Sequence, residues 1–114
     1  MSERRPRRTS PELARLRAEI DDLDRRIVRL LNERAERVVE VGHEKSALGR
    51  RAIRDRERER EVLLRVTMAN AGPMPQSDLL AIYRKVIASS RALEQAERER
   101  LRRDDDGPSE PPGA

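Results

Sequence analysis

The sequence predicts an all-helical protein with three helices per chain, one long and two shorter. Apolar residues recur at alternating steps of three and four, which is the spacing of one face of a helix. Pro and Gly interrupt this pattern in two places. Tyr83 is the single aromatic residue, so the core must consist of Leu, Ile, Val, Ala and Met, which favours helix packing over a sheet.

The first predicted helix begins after Ser10, which can cap it, with Pro11 at the first helical position. Its apolar stripe runs to about Leu48. At 1.5 Å per residue, a helix of about 40 residues is roughly 60 Å long, about twice the diameter of a small domain. Two shorter helices of the same chain cannot cover such a stripe, but a second copy of the long helix can. The periodicity therefore predicts a homodimer.

Two further helices follow. Asp55 can cap a helix over residues 56–71, which Gly72, Pro73 and Pro75 end. A third helix opens at Ser77 or Asp78 and fades into the charged run of residues 97–103. Both ends of the chain lack apolar residues, so we expect a disordered basic tail over residues 1–9, a helical domain over 10–103 and a disordered acidic, Pro-rich tail over 104–114.

Composition excludes several classes of site. The chain has no Cys, so it has no thiol nucleophile and no thiolate metal site, and the lone His43 is expected on a solvated helix face rather than in a metal centre. No apolar stretch follows the N-terminal arginines and no run is long enough to span a membrane, so a cytoplasmic protein is expected. The net charge of +4 would favour binding of a small polyanion as much as binding of nucleic acid.

Three cations lie where the helical pattern predicts burial. Arg34 and Lys45 occupy positions of the apolar stripe, and Arg17 lies directly beside it. A charge at such a position is costly unless an opposite charge meets it. Each cation could instead extend its charged end to the solvent at the edge of the helix interface, or pair with a Glu of a partner helix. Three of them on one helix favour a cationic pocket.

Polar residues on the other two helices could complete this pocket. Asp55, Arg58 and Glu59 lie at the first turn of the second helix, where backbone N–H groups favour anions. Ser90 and Glu94 lie one turn apart on the third helix. Taken singly, Asp55 could be only a cap, Glu59 a surface residue and Ser90 a small packing residue. Together with the three cations they describe a pocket for an anion between helices.

These residues fall within three segments that resemble the all-helical AroQ class of chorismate mutases. The segments are LRAEIDDLDRRIVRLLNERAERVVEVGHEKSA, IRDRERE and YRKVIASSRALEQ, and the resemblance covers residues 12–96. It implies an intertwined homodimer that converts chorismate to prephenate, in Phe and Tyr biosynthesis, with no cofactor and no metal. Nothing after residue 103 resembles a dehydratase or a dehydrogenase domain, so a monofunctional enzyme is expected.

The resemblance also implies a role for each cation. Arg17 reaches into the pocket of the other subunit and, with Arg34, binds the two carboxylates of chorismate. Lys45 points at the ether oxygen, where negative charge grows as the C–O bond breaks. Arg58 shapes and charges the pocket.

Four further roles come from the same resemblance. Asp55 and Glu59 bind the ring hydroxyl, and Ser90 contacts a carboxylate. Glu94 falls where family members have Gln or Glu, and it can donate to the ether oxygen only when it is protonated. Lys45, Glu94 and Arg58 are therefore the predicted catalytic residues.

Three other interpretations remain open at this point. An isochorismate pyruvate-lyase has the same fold and binds a similar dianion. A helical coiled-coil protein could bind nucleic acid through its arginines, although the arginines alternate with Glu and no aromatic residues are available for stacking. The third interpretation is a mutase whose activity depends on a larger aromatic-pathway enzyme.

Overall fold

The computed structural model describes residue 8, residues 10–49 and residues 55–106, except for the side chains of 105 and 106. These residues form three helices, α1 (Pro11–Ala47), α2 (Arg56–Ala69) and α3 (Gln76–Asp106), and no strand. The all-helical prediction is confirmed. α1 with 37 residues is the longest helix, and α2 with 14 and α3 with 31 are the two shorter ones, as predicted, although α3 is more than twice as long as α2.

Both ends of α1 follow local signals in the sequence. The Leu13 N–H donates to Ser10 Oγ at 3.1 Å, so Ser10 caps the helix, and Pro11 is its first residue. After Ala47 the chain turns at Gly49, whose φ of 72° lies in the left-handed region that glycine adopts without strain. The Gly49 N–H donates to the Ser46 carbonyl at 3.0 Å.

The chain divides into two compact units, Met1–Arg34 and Ala35–Ala114. The first unit contains the N-terminal part of α1, and its apolar stripe is largely exposed. The exposed fractions are 43% for Leu16, 54% for Ile20, 47% for Leu23, 52% for Ile27 and 60% for Leu30. A continuous apolar surface of this kind is typical of an interface rather than of a solvated helix face.

The second unit contains the rest of α1 together with α2 and α3. Asn70 caps α2 at its C-terminal end, and its side chain donates to the Met74 carbonyl at 3.1 Å and to Gln76 Oε1 at 2.8 Å. The predicted end of this helix at residue 71 is therefore two residues too late. The predicted start of α3 at Ser77 or Asp78 is also too late, because the helix begins at Gln76.

α3 does not fade at residues 97–103 but continues to Asp106. Arg100 donates to Glu97 at 3.1 Å and to Asp104 at 2.9 Å, so the charged run forms ion pairs at helical spacing. The helix thus continues three residues past the predicted domain boundary at 103. Residues 1–7, 9 and 107–114 of the predicted tails lie outside the described residues, and the division into domain and tails stays a prediction.

Few side chains are buried. Within the described ranges the buried residues are Gly42, Ile87 and Glu94, and Ile87 is the one large apolar residue among them. A stable domain normally buries a close-packed set of large apolar side chains. The described residues of one chain therefore lack a core of ordinary size, which favours association with another chain. None of the described helices is long and apolar enough to cross a membrane.

Candidate active site

Two of the predicted catalytic residues meet where α1 ends. Lys45 Nζ lies 2.9 Å from Glu94 Oε1, and the two side chains are 14% and 7% exposed. The atoms are at ion-pair distance but are not aligned as a hydrogen bond. Burying a carboxylate and an ammonium costs desolvation energy that their attraction barely offsets. A buried pair of this kind contributes little to stability, which makes this position a candidate for function.

Gly42 allows α1 and α3 to approach each other at this pair. It lies three residues before Lys45, on the same face of α1, and it is buried. A Cβ at this position would lie 3.3 Å from Glu94 Cγ, which is closer than ordinary van der Waals contact. Sequence reasoning missed this role, although a Gly inside a strongly helical segment is a signal of close packing.

A second ion pair joins α2 to α3. Arg91 Nε lies 3.1 Å from Glu59 Oε1, with side-chain exposures of 34% and 18%. Glu59 was predicted as a site residue, and Arg91 was not. The signal for Arg91 was its position between Ser90 and Glu94, on a helix face that already carried two candidates.

Asp55 and Arg58 lie together at the start of α2. Asp55 is the N-cap, and its Oδ1 accepts a hydrogen bond of 3.0 Å from the Arg58 N–H. The Arg58 side chain is 55% exposed and contacts Glu61 at 3.2 Å. The capping function of Asp55 is thus established, whereas contacts of Asp55 or Arg58 with a ligand stay predictions.

The remaining predicted residues lie on α3 and in the first unit. Ser90 is half-buried, and its Oγ donates to the Val86 carbonyl at 3.0 Å. Arg17 is exposed on α1, and Arg34 is half-buried. Their predicted contacts with substrate are not tested by a single chain.

A second polar contact between α1 and α3 lies one turn beyond Glu94. His43 Nε2 is 2.8 Å from Glu97 Oε1, so His43 is not a purely solvated residue. The hydrogen bond from Arg100, followed by that from His43, lowers the pKa of Glu97 from 4.5 to about 2. Glu97 in turn raises the pKa of Arg100. Glu97 is therefore an anion at neutral pH, beside the Lys45–Glu94 pair.

The part of the chain that the structure describes holds no group of His, Cys, Asp and Glu that could bind a metal ion. One shallow groove lies on the N-terminal part of α1 and another on α2, and neither is lined by a predicted site residue. The arrangement around Lys45 and Glu94 offers fixed charges and hydrogen-bond donors. Such groups can orient an anion and stabilise charge that develops during a reaction.

Comparison with known proteins gives consistent results for sequence and structure. The family model for chorismate mutase type II matches residues 16–95. The chain is 41% identical over 88 residues to a bifunctional chorismate mutase/prephenate dehydratase of Aquifex aeolicus (strain VF5), covering 74% of this chain and 24% of that protein. A protein of the same name from Neisseria gonorrhoeae is 38% identical over 76 residues, covering 67% of this chain and 20% of that protein. The chain thus spans about a quarter or less of the length of these curated relatives.

The structural comparison agrees. A chorismate mutase from Thermus thermophilus (form II) superposes with a TM-score of 0.70 at 34% identity, covering 74% of this chain and 94% of that one. The family match includes all eight predicted site residues, from Arg17 to Glu94. The chain therefore belongs to the chorismate mutase type II family.

Proposed function

We propose that the protein is a chorismate mutase, which converts chorismate to prephenate by an intramolecular [3,3] rearrangement in aromatic amino acid biosynthesis. The observation that carries this proposal is the buried Lys45–Glu94 ion pair, which lies inside the segment that matches the family. The reaction needs no nucleophile, metal or cofactor. It needs a site that holds a flexible dianion in a compact conformation and stabilises charge on the ether oxygen.

Two arginines would hold the dianion. In the proposed site, Arg34 and the partner subunit's Arg17 each bind one carboxylate of chorismate. A guanidinium can donate two parallel hydrogen bonds to a carboxylate, which fixes orientation as well as position. Holding both carboxylates brings the two reacting carbons together and removes much of the entropic part of the barrier.

Lys45 would stabilise the charge that forms as the C–O bond breaks. An ammonium has three N–H donors, so Lys45 can contact Glu94 and still donate to the ether oxygen. Ionised Glu94 attracts Lys45 and restricts its position, at 2.9 Å in this structure. Protonated Glu94 would be a second donor to the same oxygen, because only the neutral acid carries an O–H.

The other predicted residues would complete the pocket. Asp55 fixes the start of α2 as its cap, and this places Glu59 one turn further along the helix. We assign the ring hydroxyl to Glu59 together with Asp55, and one substrate carboxylate to Ser90. Arg58 would help to shape the pocket and add positive charge to it.

The proposal includes a homodimer in which each site uses both chains. The support is the exposed stripe of α1, where five apolar side chains from Leu16 to Leu30 are each about half exposed. Burying an apolar side chain is worth roughly 1.5–3 kcal/mol when it goes from exposed to fully buried. A second copy of α1 presents the same stripe and would cover this one. A cytoplasmic location and activation by a larger aromatic-pathway enzyme stay predictions.

Incubation of the purified full chain with chorismate tests the proposal. Prephenate formation is expected, together with a mass in solution of twice the 13.2 kDa of one chain. A protein that forms no prephenate, alone or with an added aromatic-pathway enzyme, contradicts it. Isochorismate is the parallel substrate: release of pyruvate from isochorismate, without turnover of chorismate, would identify the lyase instead.

A further inference from the structure

The proposed mechanism assigns no role to the ion pair between Glu59 and Arg91. Arg91 Nε and Glu59 Oε1 are both buried and lie 3.1 Å apart. They are not aligned as a hydrogen bond. A buried charge pair without ideal alignment recovers little of its desolvation cost, so its contribution to stability is small. Positioning of one partner is a better explanation for it.

Arg91 lies among residues that we assign to the site. It directly follows Ser90, and Glu94 lies three residues further on the same helix. Its guanidinium crosses from α3 to α2 and contacts Glu59, the residue proposed to bind the ring hydroxyl. Arg91 therefore connects the helix that carries Ser90 and Glu94 to the helix that carries Glu59.

We propose that Arg91 is a positioning residue that holds the Glu59 carboxylate where it accepts the ring hydroxyl of the substrate. This inference rests on the proposed function. A guanidinium keeps its charge at any physiological pH, and its planar shape fixes a carboxylate better than an ammonium does. A carboxylate has about four acceptor positions on its two oxygens, so contact with Arg91 is compatible with accepting a hydroxyl.

Loss of this contact would affect substrate binding more than turnover. The ring hydroxyl is bound in both the ground state and the transition state, and a lost interaction of that kind raises KM with little change in kcat. We expect Arg91→Leu to raise KM by about 3- to 10-fold with kcat within about twofold of wild type. Arg91→Lys keeps the positive charge but lacks the planar guanidinium, so its KM should lie between those of the wild type and Arg91→Leu.

A double-mutant cycle tests whether Arg91 acts through Glu59. The four proteins are the wild type, Arg91→Leu, Glu59→Gln and the double variant, each assayed for KM and kcat with chorismate. In the Glu59→Gln background, Arg91→Leu should change KM by less than about twofold, because the group that Arg91 positions has already lost its charge. Arg84→Leu, the same substitution at an exposed site on α3, is the control and should leave KM unchanged.

Each result is decisive. Additive effects on KM in the cycle, or an unchanged KM in Arg91→Leu, overturn the inference and leave the proposed function intact. A wild-type protein that does not convert chorismate overturns both. Circular dichroism identifies a variant that does not fold; if Arg91→Leu fails in this way, Arg91→Gln, which also removes the charge, replaces it in the cycle, and an unchanged KM in that variant overturns the inference equally.

Discussion

Lys45 and Glu94 are in direct contact, with 2.9 Å between Nζ and Oε1, in the least exposed part of the described chain. The contact joins α1 to α3 and places an ammonium and a carboxylate together away from water. Opposite charges in such a place interact far more strongly than on the surface. The Lys45 ammonium would therefore stabilise a substrate that develops negative charge beside it, most strongly when Glu94 is protonated and no longer opposes that charge.

Removal of the Lys45 ammonium should abolish most of the activity. Lys45→Ala removes the donor to the developing oxyanion and is expected to lower kcat about 100-fold or more, as loss of one oxyanion donor does in other enzymes. Steady-state assays of prephenate formation measure this. Lys85→Ala, at an exposed position on α3, is the matched control. Wild-type turnover in Lys45→Ala would refute the assignment.

The charge of Glu94 should determine the pH dependence of the reaction. The protonated acid donates to the ether oxygen, whereas the carboxylate repels the developing charge, so activity should fall as pH rises. Glu94→Gln supplies a neutral donor at every pH and should flatten the kcat profile. Profiles measured from about pH 4 to 9 compare the two proteins. If the variant keeps the wild-type profile, Glu94 has no part in the mechanism.

The close approach at Gly42 should make an added methyl group harmful to activity. Alanine is favoured over glycine inside a helix by about 1 kcal/mol, but a Cβ here meets Glu94 Cγ at 3.3 Å. These effects oppose each other, so Gly42→Ala should change stability by less than about 1 kcal/mol. Displacement of Glu94 should lower kcat/KM by about 3- to 10-fold.

Gly49→Ala is the control for Gly42→Ala. Its φ of 72° disfavours a side chain, and nothing lies within 4 Å of the added Cβ. This variant should lose about 1 kcal/mol of stability with unchanged kcat/KM. The opposite pattern, with activity lost in Gly49→Ala and kept in Gly42→Ala, would contradict the packing argument.

Glu97 should titrate far below an ordinary glutamate. Arg100 first, and His43 second, lower its pKa from 4.5 to about 2. Because the folded-state pKa is the lower one, the contact contributes stability above pH 4.5 and loses it as pH falls towards 2. Carbon-detected NMR of the carboxyl group measures the midpoint. Arg100→Leu should move it up, and the exposed Arg102→Leu should not; a wild-type midpoint near 4.5 would contradict the contact.

The fold was largely predictable from local rules, and the errors in the predicted helix ends have local causes. Periodicity and the capping signals at Ser10, Pro11 and Asp55 predict the three helices and two of their starts. The end of α2 was placed too late because Asn70, not Gly72, ends the helix as its C-cap. The Asn70 side chain accepts a hydrogen bond from the Gly72 N–H, so the chain has already left the helix at Gly72. The length of α3 was missed because its charged run forms ion pairs at helical spacing, which apolar periodicity does not detect.

The sequence suggested candidate site residues but not the contacts between them. A helical pattern shows which face a residue occupies, and a family resemblance suggested Lys45 and Glu94. Neither shows that the two side chains meet across helices, since that depends on how closely α1 approaches α3 at Gly42. Arg91 was missed for the same reason, because its partner Glu59 is 32 positions away in the sequence.

In the proposed dimer each active site takes Arg17 from one chain and Lys45 from the other, and mixing two inactive variants tests this arrangement. Arg17→Ala and Lys45→Ala are unfolded together and refolded at equal amounts. Half of the dimers then contain one chain of each kind, and each of these has one intact site and one site with both defects. We predict recovery of about a quarter of the wild-type specific activity from two proteins that are each nearly inactive. Activity of the mixture no greater than the average of the two variants would contradict the shared site.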